Sequence, residues 1–275
     1  MQKSLLPLTL LATALLMAGC TTRQQPSTDS PQFPRYWYLP PLVANPASWA
    51  DSVKSYRQQA CNGSGLAYLK LAHCYHKGLG VQRDYLTMVA MVELSTPLTG
   101  ITMKEFTAKL PDRDDYRLIY TGIEAALAND DETAWLCITG LESMGYDSEA
   151  EIIRCFRADT TTNCHVAIRD FYRTASKEDC ALKQVFACLG AVDAGDYAFV
   201  SRRLPRLAET SPALWVSLGH LYTRYGAIHN DSLAAHYYAK ADEYALLPPM
   251  ERRWLADYRQ RVKAKCTLTQ KQAKE

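Results

Sequence analysis

The stretch from Gly65 to Glu93, G-L-A-Y-L-K-L-A-H-C-Y-H-K-G-L-G-V-Q-R-D-Y-L-T-M-V-A-M-V-E, decides the fold class. Ala67, Leu71, Cys74, Tyr75 and Gly78 fall at i, i+4, i+7, i+8 and i+11, one apolar stripe at the helical period. Lys70, His73 and Lys77 fall on the other side. Gly78 and Gly80 supply a stop where positive φ carries no steric penalty. Asp84 follows as an N-cap, its carboxylate able to accept the orphan backbone N–H groups of a second helix. The stretch predicts a helix, a glycine turn and another helix.

The same pattern returns 147 residues later. Leu214, Leu218, Leu221 and Tyr222 repeat the stripe, and Ala72 becomes Gly219. Ser217, His220 and Arg224 repeat the polar side of Lys70, His73 and Lys77. After Gly226, Ala234, Tyr237, Tyr238 and Ala241 outline the second helix of the pair. This offset corresponds to about four steps of 35 to 40 residues, a spacing found in helical repeat arrays.

The pattern A-x-x-x-L-[AG]-x-x-Y-x-x-G-x-G-V-x-x-D, Ala67 to Asp84, resembles the Sel-one-like repeat, a relative of the tetratricopeptide repeat. The second copy departs from it: Tyr225 stands where glycine is expected, and its turn is one residue short. The resemblance implies an all-α, right-handed solenoid that binds other proteins. His73, Lys77, His220 and Arg224, equivalent in the two copies and opposite the stripe, are the candidate partner contacts.

Outward from the repeats, residues 1–19 read as an export signal: Lys3, then a short apolar run from Leu5 to Met17. Ala18 and Gly19 precede Cys20, a sequence that resembles a bacterial lipobox with Cys20 as the acylated, palmitate-bearing residue. Thr21, rather than aspartate, by the same resemblance favours an outer-membrane lipoprotein whose body faces the periplasm. Residues 20–46 form a tether rich in Pro, Ser, Thr and Gln, with Tyr36-Trp37-Tyr38 expected to pack on the body.

The body, residues 47–266, has few breakers and no sustained strand alternation. Thirteen helices are expected, around 48–60, 66–77, 84–94, 102–109, 115–128, 131–144, 147–158, 163–175, 179–193, 196–208, 212–224, 231–244 and 250–265. One array can carry all of them, because each repeat packs only on its neighbours. Residues 267–275 read as a frayed tail. The net charge is +2, falling to +1 when Lys3 leaves with the signal. The arginines and lysines of the last helix are therefore read as the solvated face of a capping repeat. No nucleic-acid partner is expected.

Nine cysteines are present. With Cys20 assigned to lipid, Cys61, Cys74, Cys137, Cys155, Cys164, Cys180, Cys188 and Cys266 remain, an even set that predicts disulfide staples in an exported chain. A bridge from Cys155 to Cys164 across one turn is feasible. Cys180 and Cys188 share a predicted helix, about 12 Å apart, and cannot bridge each other. No paired C-x-x-C units argue for metal.

The sequence holds no G-x-S-x-G, S-x-x-K or H-E-x-x-H motif and no phosphate-binding glycine loop. Asp114-Asp115 and Asp130-Asp131-Glu132 precede predicted helices and read as caps rather than paired acid–base carboxylates. The reading is a non-enzymatic envelope scaffold or adaptor without cofactor, binding envelope machinery. The alternative is a periplasmic immunity protein that neutralises a secreted toxin, and a cell-wall-active or penicillin-recognising enzyme ranks last. Cys20→Ser is expected to abolish acylation and release the body from the membrane fraction, measured by fractionation and immunoblot. Full membrane retention of the unacylated variant would overturn the lipobox reading.

Overall fold

A computed structural model of the chain describes residues 46–158, 165–177 and 179–272, without side chains at 46–48, 165 and 265–272. The signal, Cys20, the Tyr36-Trp37-Tyr38 run and Cys164 lie outside the described residues, as does the side chain of Cys266.

The described chain is all-helical, without strands. It contains α1 (Pro46–Cys61), α2 (Gly65–Lys77), α3 (Tyr85–Thr99), the short α4 (Met103–Thr107), α5 (Asp115–Leu127), α6 (Asp131–Ser143) and α7 (Asp147–Ala158). Then come α8 (His165–Thr174), α9 (Ala181–Ala194), α10 (Tyr197–Thr210), α11 (Leu214–Arg224), α12 (Asp231–Glu243) and α13 (Pro249–Gln272). It divides into two compact units, the first ending at Ser211 and the second beginning at Pro212, where one array is expected from sequence. Within each unit the helices pack chiefly on their sequence neighbours, an arrangement compatible with a helical repeat solenoid.

Local chemistry places the boundaries. Ser64 caps α2 by accepting the Ala67 N–H at 3.3 Å, and Gly78, at φ 72°, ends it with its N–H on the Cys74 carbonyl. Asp84 accepts the N–H groups of Leu86 and Thr87 at 3.2 and 3.1 Å. Thr102 and Glu105 close a reciprocal capping box on α4. Asp114, Asp130, Asp196 and Asn230 cap α5, α6, α10 and α12. The last helix departs from expectation: α13 runs to Gln272, past the predicted start of the frayed tail. The segment from Lys265 to Gln272 holds neither glycine nor proline to stop it.

The stripe of the first copy is the core of its helix pair, with Ala67, Leu71, Cys74 and Tyr75 all buried. In the second unit a Cβ on Gly219 would fall within 2.1 Å of the Tyr238 ring, so α11 and α12 meet at a ring lying over a glycine. Counted from the caps Asp84 and Asn230, across the shorter turn, Tyr238 corresponds to Val92, which is fully buried. A larger side chain on the second helix is thus matched by a smaller one on the first, which conserves packed volume.

Gly80 has φ 68°, and a Cβ there would lie 2.6 Å from the Trp49 carbonyl carbon. The turn of the repeat is therefore also the seat for the backbone of α1. Gly145 has a similar φ of 82°, but nothing lies within 4 Å of its Cβ position. Gly145→Ala should lower stability by about 1 kcal/mol, the left-handed penalty alone. Gly80→Ala adds overpacking against backbone and should lower it by about 3 kcal/mol. Urea unfolding of the two variants checks the difference, and equal losses would mean that α1 does not dock on this turn.

Candidate functional site

The four predicted contact residues do not form one exposed surface. His73 and His220 are buried, which corrects the expectation that they face solvent. Burial, with smaller contributions from His76 and Lys77, lowers the His73 pKa to about 4, so it is neutral at pH 7. The side chain of Lys77 is 41% exposed and its Nζ lies 3.5 Å from Asp114. His220 Nε2 lies 2.9 Å from Glu251, and Arg224 reaches the same carboxylate at 3.8 Å. In each unit the polar side of the repeat helix is covered by the start of a later helix: Asp114 caps α5, and Glu251 stands in the first turn of α13. The carboxylates lie 38 and 31 residues beyond the histidines that meet them, so no local pattern reveals the pairing.

Asp114 is the hub of the first network. His76 Nε2 meets its Oδ2 at 2.7 Å while its Oδ1 accepts the N–H groups of Tyr116 and Arg117. Burial pushes this carboxyl up, but the His76 hydrogen bond and the charges of His76 and Lys77 bring it net below the usual carboxylate range. Next to it, Arg83 is partly exposed but held by three contacts. It pairs with Asp115, donates Nε–H to the His76 carbonyl at 2.8 Å, and stacks 4.1 Å over the Tyr116 ring.

Beside Arg83 opens a cleft of about 180 Å³ in the first unit. Its walls come from the start of α3 (Arg83, Asp84, Tyr85, Leu86), from α5 (Tyr116, Ile119), from α7 (Glu149), from the start of α9 (Cys180, Leu182) and from the end of α10 (Thr210, Ser211). Ser211 donates its hydroxyl to Asp84 at 2.8 Å, across 127 residues of sequence. Burial raises the Asp84 carboxyl, and its hydrogen bonds from Thr87, Ser211 and Leu86 oppose that rise. Glu149 is half-buried. Burial raises its pKa, and the neighbouring Asp115 and Asp147 charges act in the same direction. The Cys180 thiol, itself pushed up to about 11 by burial, lies in hydrogen-bond contact with Glu149. Sequence reading identified Asp84 as a cap and Cys180 as a disulfide candidate, and missed Glu149 altogether.

The expected disulfide staples are not seen among Cys74, Cys137, Cys155, Cys180 and Cys188, whose thiols are free. Cys74, Cys137 and Cys188 are buried as small apolar side chains, and burial raises the Cys74 and Cys188 pKa values to about 11 and 12. Cys61 lies exposed at the end of α1. Among the described residues, no group of three or more His, Cys, Asp or Glu side chains is placed to hold a metal ion. No described helix is long and apolar enough to cross a membrane. No protein-family model, no curated protein and no solved structure matches the chain.

Asp114→Asn keeps the size of the side chain but removes its charge from the buried His76–Lys77 site. It should destabilise the fold by about 2 kcal/mol at pH 7, the order for a buried charge-assisted hydrogen bond. The folded-state pKa of Asp114 is depressed, so its contribution is present above the unfolded value of about 4 and is lost as pH falls through the lower folded value. Thermal melts of wild type and variant should therefore converge as the pH falls through the depressed folded-state value. A gap that persists unchanged in acid would show that the charge of Asp114 is not what His76 holds.

Proposed function

We propose that the chain is a non-enzymatic protein-binding module of the bacterial envelope. In this reading it is a right-handed solenoid of Sel-one-like repeats, held at the outer membrane by acylated Cys20 with its body facing the periplasm. Within the described chain, the observation that carries the binding role is the cleft: five elements spread from Gln82 to Ser211 converge on it. A repeat array acts by this kind of convergence, since loops and helix starts from successive units supply one recognition surface. At about 180 Å³ the cleft is well below the roughly 300 Å³ and upward that a drug-sized ligand fills. It matches the scale of a single side chain presented by a protein partner.

The export signal and lipobox resemblance support the compartment, and the repeat resemblance supports the partner class. The binding contacts are moved from the expected polar face to the cleft. Of the four original candidates, Lys77 and Arg224 retain partly exposed cations, whereas His73 and His220 serve the interior.

The test is capture of a partner from envelope extract by the purified mature chain, with identification by mass spectrometry. Ala181→Trp, which fills the cleft from its α9 wall, should leave helicity and melting temperature within the small range of a surface change and abolish capture. Capture that survives the filled cleft, or a mature chain that captures nothing specific, would overturn the reading.

A further inference from the structure

The charges around the cleft do not balance. Arg83 is the cationic side chain in its wall, and Asp115, the His76 carbonyl and the Tyr116 ring already occupy its guanidinium. Asp84 is answered by two backbone N–H groups and the Ser211 hydroxyl. Glu149 has no ion-pair partner among the described residues. Lys183, a buried lysine on α9, is already committed, at 2.5 Å to Glu151 and 3.2 Å to Asp179. The cleft therefore presents an uncompensated carboxylate at the edge of an otherwise satisfied wall.

The other surfaces point the same way. Leu86, Ile119 and Leu182 give an apolar lining, and Tyr85 stands edge-on to Tyr116 with ring centroids 5.2 Å apart. An apolar sleeve with an anion fits a side chain that has a methylene stem and a cationic head. An anionic guest would meet Glu149 and Asp84 with no free cation to receive it. A purely apolar guest would leave the Glu149 carboxylate desolvated and unpaired, which is strongly unfavourable.

We infer that the cleft is a receptor for one lysine or arginine side chain of the protein partner, with Glu149 as its counter-charge and the Tyr85, Leu86 and Leu182 side chains around its stem. This rests on the protein-binding reading given above and adds the chemistry of the group that enters.

The test uses the mature protein, amide-resolved NMR and three capped amino acids: N-acetyl-lysine methylamide, N-acetyl-arginine methylamide and the neutral N-acetyl-norleucine methylamide. At least one cationic probe should cause saturable shifts at Tyr85, Tyr116, Ala181 and Leu182, and norleucine should cause none. Glu149→Gln should weaken the cationic probe at least tenfold with the melting temperature retained. Asp147→Asn, which removes a neighbouring carboxylate outside the cleft wall, should change it less than twofold. If Glu149→Gln lowers stability, Glu149→Ala read at a temperature well below its melt supplies the same comparison. Equal shifts with norleucine, or undiminished lysine and arginine binding in Glu149→Gln, overturn the proposal. So does the absence of shifts with both cationic probes. Should Ala181→Trp abolish partner capture while Glu149→Gln leaves it intact, the cationic guest is wrong and the protein-binding reading stands.

Discussion

The structure of the first unit depends on a buried carboxylate, Asp114, that serves two helices at once. One oxygen terminates α5 by taking its free N–H groups, and the other takes the imidazole of His76 from α2. Each job alone is ordinary. Joined in one side chain, they fix the start of α5 against the last turn of α2, where an apolar contact would leave rotation and register free. A charged group is tolerated there because every lone pair that leaves water finds a donor.

That anchoring positions the cleft. Asp115 follows Asp114 directly and holds Arg83, which lies in the turn between α2 and α3 just before the cap Asp84. Arg83 in turn covers one face of Tyr116, and Asp84 reaches Ser211 at the end of α10. Three consecutive kinds of contact thus run from one aspartate to the cleft wall: ion pair, cation–π stack and cap. Their partners come from distant parts of the chain, so the cleft persists only while the helices that supply them stay in place. Glu149 enters this frame from the first turn of α7, where the helix dipole favours a carboxylate. Burial raises its pKa, the Asp115 and Asp147 charges add to that rise, and the hydrogen bond with Cys180 opposes it.

The helices were legible in the sequence because their signals are local. The stripe from Ala67 to Tyr75 is buried along its length, and Asp84, Asp114 and Asp130 cap the helices that follow them. The cleft was not legible, because its wall joins residues that no period or spacing links, such as Glu149 and Cys180. The histidines show the limit most clearly. His73 lies opposite the apolar stripe, and sequence periodicity equates that side with water. In a packed array that side can instead meet the next helix, which makes it polar and buried at once. The cysteines are a different case: counting presumes pairing, the disulfides it predicts are not shown among the described residues, and Cys74 and Cys188 sit as small core residues.

The two copies of the repeat show which part of this arrangement is essential. The 147-residue offset places Lys77 on Arg224, and both cations reach the buried carboxylate of a later helix start. The imidazole does not stay in place. In the first unit it is His76, and the offset carries that position to Thr223, whose hydroxyl bonds the Gly219 carbonyl and the Tyr238 phenol instead. In the second unit the bonding imidazole is His220, one helical turn earlier and equivalent to His73. Positions three residues apart share a helix face, so either can present a ring to an acid arriving on that side. The acid arrives differently as well, as the N-cap of α5 in one unit and from within the first turn of α13 in the other. What both copies keep is a buried carboxylate at a helix start, answered by one imidazole and one half-exposed cation. Residue identity at a fixed repeat position is secondary to that charge arrangement.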